Sequence, residues 1–96
     1  MIYEKRIVSF SKLMSEIRRL DSDAGIRMVC NYDGRRCFLF LTKSIGGYVV
    51  MVHAIVGTSR RPAPGDRLLV QEFPGAPEVE QFLRNVSRDR VEAFAY

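Results

Sequence analysis

Ninety-six residues suffice for one hydrophobic core but would starve two, so residues 1–96 are expected to form a single compact domain. Hydrophobic residues make up 47% of the chain and charged residues 27%, which favours a folded chain over a disordered one. The formal charge of +4 rests on twelve arginines against three lysines, and the planar guanidinium fork suits phosphate or carboxylate, so an anionic partner is expected.

The longest apolar run, Tyr48 to Val56, is interrupted by His53 and has the length of a strand, which excludes a membrane-spanning helix. Met1-Ile2-Tyr3 is followed at once by Glu4, Lys5 and Arg6, where a secretory leader needs an unbroken apolar stretch. A cytoplasmic location is therefore expected.

Ile2 to Val8 mixes apolar and charged residues and suits a short strand. Ser9 then offers a cap to a helix whose apolar positions are Phe10, Leu13, Met14, Ile17 and Leu20, with Val8 and Leu13 placed as a hydrophobic staple. Asp21 to Gly25 ends it. Ile26 to Tyr32 and Arg35 to Thr42 flank Asp33-Gly34, a dipeptide suited to the positive φ angles of a type I′ turn. The implied register opposes Tyr32 to Arg35, Asn31 to Arg36 and Cys30 to Cys37, with Ile26, Met28, Cys30, Leu39 and Leu41 on one face.

Tyr48 to Gly57 is apolar on both faces, as a central strand covered on each side, or by a partner subunit, would be. Thr58 to Asp66, with two prolines and a Pro64-Gly65 pair, reads as a long basic loop before a strand over Arg67 to Phe73. Pro74 and Gly75 stop that strand. Pro77 and Glu78 then open a second helix with Val79, Phe82, Leu83 and Val86 on one face. After Ser87 to Arg90, Val91 to Tyr96 alternates as a last strand or else continues the helix. The fold class is α+β: a single mixed, mainly antiparallel sheet in the order β-α-β-β-β-β-α-β with two helices packed on it, akin to a split βαβ arrangement with an added hairpin.

In such a meander the turns at Asp33-Gly34 and Thr58 to Asp66 share one end of the sheet. Arg35, Arg36, Arg60, Arg61 and Arg67 would gather there to grip phosphates, with Tyr32 or Tyr48 stacking on an unpaired base. The plain structural alternative is a solvated loop end. Gly57-Thr58-Ser59-Arg60-Arg61 lacks the glycine spacing and lysine of a nucleotide-binding P-loop.

His53, the sole histidine, has no ligand-spaced partner, and Cys30 and Cys37 match neither zinc nor redox spacing, so no metal or cofactor is expected. The hairpin register permits a Cys30–Cys37 disulfide, while a reducing compartment favours buried thiols. A nuclease built on Asp33 and Lys43 lacks a second carboxylate. The expected function is thus a small non-enzymatic binding module for nucleic acid. The alternative is a protein-interaction or regulatory module, and a homodimer is expected in either case because so short a chain buries limited surface.

Overall fold

The computed structural model describes residues 5–58, 60–86 and 91–96. Six strands and two helices follow one another as β1 (Lys5–Ile7), α1 (Phe10–Arg18), β2 (Gly25–Tyr32), β3 (Arg35–Ser44), β4 (Gly47–Gly57), β5 (Pro62–Phe73), α2 (Ala76–Val86) and β6 (Ala93–Ala95), the order expected from sequence. The parts of the expected elements that fall on Ile2 to Glu4, Ser59 and Ser87 to Arg90 lie outside the described residues.

Local chemistry sets most of the boundaries. The Ser9 hydroxyl accepts from Lys12 N at 3.2 Å and caps α1, which turns Leu13, Met14 and Ile17 inward. The staple does not form: Ile7 turns into the core at the end of β1, so the next residue, Val8, points the other way and is 60% exposed. Asp33 and Gly34 adopt φ of 53° and 78°, and β2 and β3 pair with Cys30 opposite Cys37, the register the two-residue turn dictates. The α2 helix buries Val79, Leu83 and Val86, and Arg84 reaches back one turn to Glu80 at 2.9 Å.

The sheet runs β1-β6-β2-β3-β4-β5, and every pairing among the described residues is antiparallel. This corrects the expectation of a mixed sheet. The two βαβ crossovers do join strands of like direction, but β6 slots between β1 and β2 and runs against both. No two parallel strands become neighbours. A second correction concerns residues 58–66, since β5 starts at Pro62 and leaves a short connection where a long loop was expected. Proline survives there because β5 is an edge strand, whose outward N–H positions need no partner.

Both helices pack on one face of the sheet. Met28, Cys30, Leu39, Leu41, Val50 and Val52 from the strands and Leu13, Ile17, Val79 and Leu83 from the helices form the core. Tyr48 is buried there with its hydroxyl donating to the Ile17 carbonyl at 3.1 Å, so its polar tip is satisfied near the C-terminal end of α1. Among the described residues the other face of the sheet carries no helix, so within this chain the helices cover β4 on one side.

Candidate functional site

Because side chains alternate across a strand, the residues between the core positions all project from the uncovered face. The register aligns them in two rows. One crosses all six strands as Arg6, Phe94, Arg27, Phe40, Met51 and Val70. The second runs through Val29, Phe38, His53 and Arg67. Rings and guanidinium groups therefore interleave on a surface that consists of backbone hydrogen-bonded strands.

The contacts within the rows are close. Arg27 lies 5.2 Å over the Phe94 ring, Phe38 and Phe40 sit 6.3 Å apart and tilted by 44°, and His53 meets Phe40 edge-on at 5.5 Å. His53 Nδ1 donates to the Gly65 carbonyl at 3.1 Å, which orients the imidazole. Phe38, Phe40, Phe94 and Met51 are half-buried on this face of the sheet.

Two irregularities shape this face. Between Val52 and Ile55 the partner on β5 jumps from Leu69 to Arg67 and then to Pro64, so β5 holds extra residues. Such bulges bend and over-twist the strand pair. The bend brings Pro62 to the same hollow as Arg36 and Phe38, where a cavity of about 220 Å³ is walled also by Arg27, Val29, Glu92 and Phe94. A larger, shallow depression of about 820 Å³ lies at the opposite end, around Ser44, Ile45 and Gly46. Its cation, Lys43, is already seated 4.4 Å over the Tyr48 ring.

The arginines named from sequence divide between the two faces. Arg36 stands at the cavity and approaches Glu92 at 3.6 Å, and the turn bearing Arg60 and Arg61 leads directly into Pro62. Arg61 N donates to Thr58 Oγ1 at 3.1 Å, while the guanidinium groups of Arg60, Arg61 and Arg67 are exposed and make no ion pair among the described residues. Arg36 and Arg67 thus lie on the uncovered face, and Arg60 and Arg61 on the turn that leads into β5. Arg35 and Tyr32 do not: as direct cross-strand partners in the core register they face the helix side, where Tyr32 packs against the core.

Neither cysteine faces this surface. Cys30 and Cys37 are fully buried free thiols on the helix side, and burial, reinforced by the neighbouring Cys37, pushes the Cys30 thiol up to about 12. His53 projects from the opposite face, so the fold does not assemble a cysteine–histidine pair. Asp33 and Lys43 are likewise held apart, near opposite ends of β3. No group of three or more metal-ligating side chains occurs among the described residues.

Sequence reasoning missed Arg6, Arg27, Phe38 and Phe40. The signal was present in the hairpin, since the Asp33-Gly34 register that opposes Cys30 to Cys37 also opposes Arg27 to Phe40 and Val29 to Phe38. Comparison with known proteins adds no assignment: no family model, no curated protein and no solved structure matches this chain.

Proposed function

We propose that the domain is a non-enzymatic module that binds single-stranded nucleic acid across the uncovered face of its sheet. The observation that carries this reading is the interleaving of Phe94, Phe40, Phe38 and His53 with Arg6, Arg27 and Arg67 in two adjacent rows. Unpaired bases stack on such rings whatever their identity, while guanidinium groups neutralise the backbone between them. A duplex hides its base faces and would gain only the electrostatic part. Arg60 and Arg61 extend the cationic track beyond the sheet edge. A cytoplasmic site of action accords with two free, buried thiols, and no helix among the described residues is long and apolar enough to cross a membrane.

A labelled single strand of about ten nucleotides, titrated at about 50 mM salt and followed by fluorescence anisotropy, tests this reading. The single strand binds more tightly than the matching duplex. Phe40→Ala weakens single-strand binding about 5- to 150-fold, the range of one lost stacking platform. Equal affinity for duplex and single strand, or no change in Phe40→Ala, would overturn it.

A second reading, contact with another protein or with a second copy, draws on the 12-residue edge strand β5, whose Val56 neighbour and Val70 are each 48% exposed. Sedimentation of the free protein separates the two. Concentration-dependent dimerisation without nucleic-acid binding favours the second.

A further inference from the structure

We infer that the cavity beneath the β4–β5 turn takes one unpaired guanine, held by Glu92 through its Watson–Crick edge. This rests on the single-strand reading above and adds to it a preferred base. The cavity's volume of about 220 Å³ falls below the roughly 300 to 1,000 Å³ of sites that enclose a drug-sized ligand, so it suits one ring system and not a whole nucleotide cofactor.

Its walls match a flat heterocycle. Phe38, Phe94 and Pro62 present ring faces or edges, and the Arg27 guanidinium, itself stacked over Phe94, adds a planar cationic surface of the sort on which bases also stack. The cavity opens on the same surface as the two rows. A strand lying along them therefore passes its mouth.

Glu92 supplies the discrimination. Although it precedes β6, its carbonyl accepts from Val29 N at 3.0 Å, which fastens the residue against β2. Among the described residues its carboxylate is the one acidic group lining the cavity, and the Arg36 contact of 3.6 Å is longer than the 2.7–2.9 Å of a charge-assisted hydrogen bond. The carboxylate oxygens are thus steered by Arg36 while their acceptor capacity is retained.

Among the four bases, guanine alone presents two adjacent donors, N1–H and N2–H, to such a fork. Adenine and cytosine place one amino donor beside an acceptor ring nitrogen, and uracil or thymine flanks its single N–H with two carbonyls. The latter would set carbonyl oxygens against the carboxylate. A good bidentate contact of this kind discriminates by about 5- to 150-fold.

The test uses thymidine strands of about ten nucleotides that carry one central guanine, inosine, adenine or thymine, titrated against the whole chain. Guanine binds at least about 5-fold more tightly than thymine. Inosine, which keeps N1–H but lacks the N2 amino group, falls between them. This comparison requires no variant. Glu92→Gln, close to isosteric, removes the guanine preference, read as the ratio of guanine-strand to all-thymidine-strand affinity, a ratio from which the effect of the lost charge on both strands cancels. If all four strands bind equally, or if Glu92→Gln keeps the preference, the base assignment is overturned and the single-strand reading stands. If no strand binds, both fall.

Discussion

Replacing Arg60, Arg61 and Arg67 together by alanine isolates the electrostatic share of binding. All three side chains are exposed and make no ion pair among the described residues, so their loss should alter stability by no more than about 0.5 kcal/mol each. For single strands each neutralised phosphate contributes about −0.7 to the slope of log affinity against log salt. Three contacts therefore account for a slope of about −2, and a fourfold rise in salt weakens that share of affinity about twentyfold. Anisotropy titrations at four or more salt concentrations, run on the wild type and on the triple variant, measure the difference. A slope shallower by about 2 in the variant, with both lines converging at high salt, is the expected result. An unchanged slope would show that the strand does not touch the β4–β5 turn, and the cationic track would have to be withdrawn.

Two glycines contrast backbone strain alone with backbone strain plus steric exclusion, since Gly34 and Gly47 both have positive φ, 78° and 151°. A Cβ at Gly34 meets nothing within 4 Å, so Gly34→Ala costs only its left-handed backbone, about 1 kcal/mol, and lowers Tm by about 4–8 °C. A Cβ at Gly47 would lie 2.0 Å from the Phe73 carbonyl oxygen, so Gly47→Ala forces β4 from β5 and costs several times more in the same melt. Cys30 governs behaviour at alkaline pH: its proton is held in the folded state up to about 12 against an ordinary value of 9.0. The unfolded chain ionises first, so stability is intact below about pH 9 and falls as pH rises above it. Urea unfolding across that range should show a shallower decline for Cys30→Val, and an identical decline in both proteins would place the effect elsewhere.

What could be read from the sequence was what neighbouring residues decide. Ser9 announces α1 because a hydroxyl there satisfies a free N–H within three residues, and Asp33-Gly34 announces a register because two positive φ angles leave the hairpin no other pairing. The place of β6 is decided otherwise. Three residues, Ala93 to Ala95, pair with β1 and β2, both far away in sequence, and nothing local distinguishes that site from an outer edge. The prolines of residues 62–64 misled for a related reason: they mark a loop in a central strand but are permitted at an edge, and which strand is the edge is a property of the whole sheet.

The candidate site shows the same division in a more instructive form. The loop arginines draw notice because charge is conspicuous, yet charge at a hairpin end is consistent with mere solvation. The interleaved rows are less conspicuous, because Phe38, Phe40 and Val29 read as ordinary core until the helices are known to cover only one face. Once they do, rings that are only half-buried on a hydrogen-bonded sheet leave apolar surface available to another molecule's flat face. The β5 bulges then connect the two features. By admitting extra residues between Leu69 and Pro64, they bend the turn so that Pro62 closes over Phe38 and Arg36, and the arginine loop becomes the rim of the aromatic face. A straight β4–β5 hairpin of the same composition would carry Arg60 and Arg61 past the end of the sheet, away from Phe38 and Glu92. The bend, more than any single residue, is what joins two ordinary surfaces into the one continuous surface proposed to bind.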